Sequence, residues 1–303
     1  SKPGLGWLPD VPKREDYGPQ HPNVVESLQK TRLAPMTAPA GGGVSDKDKG
    51  TKAKAKTGGK LPSKADLRKW FSPIEHQGSL GSCTAHAAVA LLEYFQRRAC
   101  GKHTDASPLF VYKATRNLQH WTGDTGAYLR TAMEALVLFG APPEEYWPYD
   151  GAPADSNPHF DVEPPAFAYA FAANYQAIKY FRLDADVTPP TKILENIRRS
   201  LAGEFPVMFG FPVYSEFDNP ENGYVAYPAG AGYRGGHAIV AAGYDDNLTV
   251  AGDIGALLVR NSWGTGWADS GYAWMSYRYV TEGLATDWWS MVKAEWVDDK
   301  QFA

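Results

Sequence analysis

The chain has 303 residues, 44% of them hydrophobic, and a formal charge of −4, so it can bury a substantial core in one large or two modest domains. That charge gives no basic field for nucleic acid and excludes a polyanion partner; no run of eighteen apolar residues exists, so no transmembrane helix and no membrane partner is expected. Ten Trp, 17 Tyr and 13 Phe read as core packing rather than as a stacking surface for sugars or bases.

In chain order, Ser1-Lys2-Pro3-Gly4 lacks the apolar core of a signal peptide, which leaves the compartment as cytoplasm, or export with a leader absent from this chain. Prolines then enforce extended backbone over residues 6–17, and Trp7, Leu8, Val11 and Tyr17 need an apolar surface to dock on. A short helix is expected over Pro22–Arg32, with Val24, Val25 and Leu28 on one side. Residues 38–60 are rich in Gly, Ala and Lys, have almost nothing to bury, and read as a flexible linker. Its glycines make no phosphate loop, because Gly58-Gly59-Lys60-Leu61 lacks the hydroxyl residue and the preceding strand.

Beyond the linker the pattern turns helical. Ser82 reads as an N-cap with Cys83 as the first helical residue, and Ala85–Arg98 continues the helix. Ser107–Arg116 has a proline at the helix start, and Gly126–Val137 is a further helix halted by Gly140 and Pro142-Pro143. From Ala166 the character changes to strand-like runs at residues 175–181, 205–211, around His237, 257–261 and 271–277, with a short helix at Thr191–Leu201 capped near Thr188 or Thr191. Three parts follow: residues 1–60 as arm and linker, 61–165 as a helical lobe, and 166–303 as a β lobe.

The chemistry concentrates at Gln77-Gly78-Ser79-Leu80-Gly81-Ser82-Cys83. A thiol at a helix start sits over unpaired N–H groups and the positive end of the helix dipole, which favour the nucleophilic thiolate. The chain offers a base, an orienting group and oxyanion donors for it: His237 where Gly235-Gly236 opens onto an apolar strand, Asn261 at the end of another, and the Gln77 amide beside the Cys83 N–H. The only other cysteine is Cys100. Seventeen residues along one helix would put it roughly 25 Å from Cys83 at 1.5 Å per residue, too far for a disulfide, and it reads as a small buried hydrophobe. His86, one turn from Cys83, has no second Cys/His pair at ligand spacing, so no metal site and no cofactor is expected.

These segments resemble the papain-like cysteine peptidases. The order Gln, Cys, His, Asn is kept, Asn261-Ser262-Trp263-Gly264-Thr265-Gly266-Trp267 is close to the family's asparagine motif, and Leu61–Arg68 is similar to the start of a mature family enzyme. His237 and Asn261 follow Cys83 somewhat farther on than the roughly 130–150 residues usual in the family, which modest insertions explain. The resemblance implies an α+β, two-lobed papain-like fold, a helical lobe and an antiparallel β-barrel-like lobe with the active-site cleft between them, in a bacterial-type member lacking the family disulfides. It implies Cys83, His237, Asn261 and Gln77 as the catalytic set, Trp263 as a shield for the His–Asn bond, and Gly126, Ala127, Tyr128, Gly236, Ala238 and Trp267 as substrate-binding positions.

Expected function is therefore hydrolysis of polypeptide substrates through a thioester acyl-enzyme, with protein inhibitors among the partners. Residues 1 to about 35 are expected to lie over or near the cleft in cis and restrain access, as in a zymogen; the competing expectation is a strap on the back of the fold. Leu80 stands where the family usually has a half-cystine and Thr84 where it has an aromatic. These departures keep open a non-catalytic papain-like binding module; a thiol acyltransferase or transpeptidase would use the same acyl-enzyme.

Overall fold

The computed structural model describes residues 2–25, 61–152, 159–175, 179–185, 188–230 and 232–292. The expected linker at 38–60 and Leu28 of the expected first helix lie outside these residues; within them, a helical turn begins at Pro22, and Val24 is fully buried.

Strand β1 (Lys64–Asp66) precedes three helices, α1 (Cys83–Cys100), α2 (Pro108–Leu118) and α3 (Leu129–Leu138), which pack on one another. Helix α1 carries alanines and branched apolar residues on every face of its first thirteen residues, all buried, as a helix enclosed on all sides requires. Its last turn runs past the core: Cys100 is exposed, not the buried hydrophobe its residue type suggested. Gly101 in the left-handed region (φ 73°) ends the helix. Helix α2 is capped as expected, with Ser107 Oγ accepting the Phe110 N–H at 3.1 Å and Pro108 in the first turn. Helix α3 begins three residues later than its apolar pattern suggests, because Gly126 adopts φ 72° and Ala127 pairs its backbone elsewhere.

After α4 (Ala166–Ala172), whose Tyr169 packs edge-on against Phe110 and Phe139 of the helical layer, come β2 (Lys179–Arg182), α5 (Pro190–Ala202), β3 (Val207–Val213), α6 (Ser215–Asp218), β4 (Tyr224–Val225), β5 (Gly235–Val250), β6 (Asp253–Arg260), β7 (Tyr272–Ser276), α7 (Arg278–Thr281) and β8 (Thr286–Val292). Neither threonine caps α5; Pro189 is its N-cap and Pro190 takes the first turn.

The strands form one eight-stranded sheet in the order β2-β8-β3-β5-β6-β7-β4, with β1 added to β5. All pairings are antiparallel except β4 with β7. The sheet is open rather than barrel-like. Its edges are a four-residue and a two-residue strand, too short to close on each other, and helix α1 packs against β5 instead. Among the described residues no helix is long and apolar enough to cross a membrane.

Candidate active site

Cys83 opens α1, and α1 packs on β5, which carries His237. Antiparallel pairing of β5 with β6 sets Val240 opposite Arg260, so the chain leaving β6 delivers Asn261 back alongside His237. The result is a 2.8 Å hydrogen bond from His237 Nε2 to Asn261 Oδ1, which also accepts the Ser262 N–H at 2.8 Å. Those two bonds fix the amide's orientation and leave His237 Nδ1, buried and without a hydrogen-bond partner among the described residues, as the nitrogen available to the thiol. Trp263 lies at 4.8 Å ring to ring from His237 and is itself buried, which keeps water from the His–Asn bond.

Gln77 is fully buried, and both ends of its amide are engaged. Oε1 accepts from Ser262 Oγ at 2.6 Å, which turns Nε2 outward as a donor. Nε2 donates to the Leu80 carbonyl at 2.9 Å and to the Gly4 carbonyl at 3.1 Å. Ser82 stands at the N-cap position as expected, but its hydroxyl pairs with Tyr149 Oη at 2.6 Å and does not cap the helix. Leu80 is fully buried, and Thr84 beside the nucleophile is buried with its hydroxyl unpartnered among the described residues.

The Gly4 contact belongs to a longer strap: of the two expected placements of the N-terminal residues, over the cleft or on the back of the fold, residues 4–8 take the first and lie beside the Cys83 and His237 segments. The Gly4 N–H donates to the Gly78 carbonyl (2.9 Å), the Ala127 N–H to Gly6 (2.8 Å), the Trp7 N–H to Gly236 (3.1 Å) and the Leu8 N–H to Ala127 (3.2 Å). Glycines make this approach possible. A Cβ on Gly126 would meet the Gly6 carbonyl oxygen at 2.2 Å, and one on Gly236 would meet that of Trp7 at 2.2 Å. The Trp7 indole is buried over Gly210 and bonds through Nε1 to Asp287 at 3.0 Å. Leu8 is half-buried, whereas Val11 is 74% exposed and Tyr17 40%, so those two do not dock as their character suggested. Charge holds that part instead: Arg130 bonds Asp10 at 2.6 Å, the Val11 carbonyl at 3.1 Å and both carboxylate oxygens of Asp16. Buried Arg182 reaches the Asp10 carbonyl at 2.9 Å, Asp184 at 2.9 Å and Asp287 at 3.3 Å.

This cover reverses the electrostatics expected of the thiol. Burial pushes Cys83 up to about 11, against the opposing pull of the Ala238 and Gly6 N–H groups that face the sulfur and of its own helix-start amides. Burial likewise holds His237 down at about 4, although its bond to Asn261 favours the charged ring. Under the strap, thiol and imidazole are both neutral at pH 7.

Of the positions expected to bind substrate, Gly126, Ala127 and Gly236 meet the strap, whereas the Ala238 N–H faces the Cys83 sulfur. Tyr128 precedes α3, with its ring at 5.5 Å from Trp121, and Trp267 is buried, its indole N–H donating to the Phe217 carbonyl at 2.9 Å. His86 is buried behind the site, edge-on to Tyr149 at 4.7 Å and 3.4 Å from a Glu75 oxygen. Desolvation holds His86 down at about 4 and pushes Glu75 well above its ordinary value, so burial works against charge on both sides of this contact.

The family model for the papain family cysteine proteases matches residues 61–290. The chain belongs to the papain family of cysteine proteases. It is 36% identical over 222 residues to an uncharacterized peptidase C1-like protein of Acanthamoeba polyphaga mimivirus, covering 70% of this chain and 67% of that one. It is 25% identical over 228 residues to papain of Carica papaya, covering 70% and 54%. The chain thus spans little more than half the length of papain and about two thirds of the viral protein's. Among solved structures it is similar to Xylellain, a cysteine protease from Xylella fastidiosa, at 26% identity and a TM-score of 0.71, over 96% of this chain and 97% of that one. The bromelain protease from Ananas comosus shares the fold at 20% identity and a TM-score of 0.58, over 77% and 99%.

Proposed function

We propose that this chain is a cysteine peptidase that cleaves peptide bonds through a thioester on Cys83 and is held latent by its own residues 4–16. The observation that carries the reading is the paired state of the site: a complete Cys83, His237, Asn261 and Gln77 set with a backbone laid across it. When the strap leaves and water enters, the burial that keeps thiol and imidazole neutral is relieved, and the proton moves from Cys83 Sγ to His237 Nδ1. The thiolate then attacks the substrate carbonyl carbon, and the oxyanion takes hydrogen bonds from Gln77 Nε2 and the Cys83 N–H. His237 Nδ1 gives its proton to the leaving amine as the C–N bond breaks, leaving the acyl group on sulfur. Water, deprotonated by the same nitrogen, attacks the thioester; the acid departs and the thiol is restored.

Gly126, Ala127 and Gly236 are the positions at which a substrate backbone would displace the strap's, Ala238 would border the scissile bond beside the sulfur, and Tyr128 and Trp267 would line the cleft's margins. Residues 61–165 would supply the nucleophile's lobe and 166–303 that of His237 and Asn261. Support for restraint comes from the Gly4 carbonyl on the oxyanion donor and from the tether, which makes docking nearly intramolecular. The test is turnover of a denatured protein substrate by the full chain, by Cys83→Ala and by Gly6→Ala. Activity abolished by the first change and raised by the second is expected; activity that survives Cys83→Ala would refute the mechanism.

A further inference from the structure

On the far side of α1 from the strap, Glu93, His103 and Asp105 come together. Glu93 is fully buried on the inner face of the helix, and the two others lie on the loop that follows it. That loop is clamped back onto α1: the Ala106 N–H donates to Glu93 Oε1 at 2.9 Å and the Thr104 N–H to Gln96 Oε1 at 2.9 Å, while the Asp105 carbonyl accepts the Glu144 N–H at 2.7 Å. One ligand atom from each of the three side chains lies within 4.8 Å of the other two.

Two observations separate this group from a chance acidic cluster. Glu93 Oε2 is buried with no hydrogen-bond partner among the described residues, an expensive state for a carboxylate oxygen. The Ser72 hydroxyl is the nearest side-chain donor to the Glu93 carboxyl but falls short of full hydrogen-bond geometry at Oε2, and Arg260, which acts on Glu93 only through its charge, spends its donors on Ser72, Pro73 and Tyr272. The second observation is charge. Asp105 acts by charge on Glu75, Glu93 and Glu144, and Glu93 on Glu75, with Arg260 the cation that opposes them at Glu75 and Glu93 among the described residues. The surroundings thus hold four carboxyls, with a half-buried imidazole among them.

We propose that Glu93, His103 and Asp105 form a binding site for a divalent transition-metal ion, Zn²⁺ or Mn²⁺, which neutralises the buried Glu93 carboxylate and pins the 101–106 loop to helix α1. Two carboxylates with one imidazole suit these borderline ions better than Ca²⁺ or Cu⁺. Ligands at about 2.0–2.2 Å from the ion stand at most about 4.4 Å apart, so the exposed Asp105 and half-buried His103 side chains need to close by less than about 1 Å onto Glu93. Glu93 lies almost three helical turns from Cys83, roughly 15 Å along the axis, so the ion's role is to hold the lobe together.

The test uses the full chain carrying Cys83→Ser, which removes the thiol of the active site as a competing ligand. After chelation and dialysis, Zn²⁺ is titrated by calorimetry and its effect on thermal unfolding recorded. One ion per chain is expected, with a midpoint of unfolding that rises with Zn²⁺ concentration, and with binding weakened by roughly tenfold or more in His103→Ala and in Asp105→Asn. Both altered residues are solvent-accessible and leave the core intact; Glu93→Gln should act in the same direction. Absence of saturable binding, or stoichiometric binding unchanged in the His103→Ala, Asp105→Asn double variant, would overturn the proposal.

Discussion

Trp7 and Asp287, 280 residues apart, are joined by a 3.0 Å hydrogen bond from indole Nε1 to carboxylate Oδ2 inside the cleft. The carboxyl is buried beside Arg182, and desolvation lifts it to about 6 despite that guanidinium and the two indole N–H groups of Trp7 and Trp289. The indole lies so close to Gly210 that a Cβ there would meet it at 1.9 Å. Removing a buried Trp side chain typically costs about 3–5 kcal/mol, here charged mainly against the docked strap. Trp7→Ala should therefore raise initial peptidase rates by on the order of a hundredfold if the open form is rare, with the KM of a small peptide substrate falling as well. Initial-rate kinetics check this directly.

Arg130 anchors the other end of the strap through Asp10 and Asp16, all three side chains being largely withdrawn from solvent. Breaking a buried ion pair from one side costs about 3–5 kcal/mol. Arg130→Met removes both ion pairs together with the guanidinium's stacking over Trp289, 5.0 Å from the ring centroid, and should increase basal activity. The same change in a Trp7→Ala background should add little, because an already released strap has little left to lose. A double-mutant cycle on the initial rate measures that coupling.

Gln77 donates from Nε2 and is oriented by Ser262 through Oε1. Gln77→Ala should lower kcat by roughly 10²–10³ with little change in KM, the usual cost of one oxyanion donor. Ser262→Ala should give a smaller fall in the same constant, because it frees the amide to turn without deleting it. Steady-state kinetics on an activated background separates the two.

His86 is fully buried and held neutral, at about 4, against an unfolded value near 6.5. A base whose folded pKa is depressed contributes stability above its unfolded pKa, and that contribution is lost as pH falls from 6.5 towards 4. Other buried groups titrate over the same range, so a pairwise comparison is needed. The difference in unfolding free energy between the parent and His86→Phe should shrink by about 2 kcal/mol between pH 7 and pH 5. Urea unfolding at the two pH values provides the measurement.

Local rules made much of this molecule legible. Proline and serine at 107–108 marked the start of α2, and the apolar run after Ser82 marked α1. The family motif around Asn261 and the glycines before His237 singled out two residues that the structure joins by a 2.8 Å hydrogen bond. What the sequence hid depends on distant groups meeting. Trp7 docks as its character suggested, but Val11 and Tyr17 do not, and the rest of the docking is done by Asp10 and Asp16 on Arg130. Nothing local to any of these residues signals its partner. The thiol was misjudged for a related reason: helix-start amides favour thiolate, but full burial of the sulfur outweighs them. Strand β8 was not distinguished, though it supplies Asp287 and Trp289, because its run of tryptophans carries neither a clean alternation nor a bounding turn signal.

The central claim is that the strap, not the intrinsic chemistry of the site, keeps Cys83 unreactive. Gly6 tests it with the smallest perturbation, since a Cβ there would meet the Gly81 carbonyl oxygen at 1.9 Å, and overpacking of that kind costs about 1–3 kcal/mol. The measurement is the rate of Cys83 alkylation at pH 7, followed by peptide mass, in the full chain and in Gly6→Ala. Slow labelling of the full chain, labelling faster by roughly tenfold or more in Gly6→Ala, and loss of that gain on adding His237→Ala are the predicted results. Equal rates in the full chain and in Gly6→Ala would contradict the account.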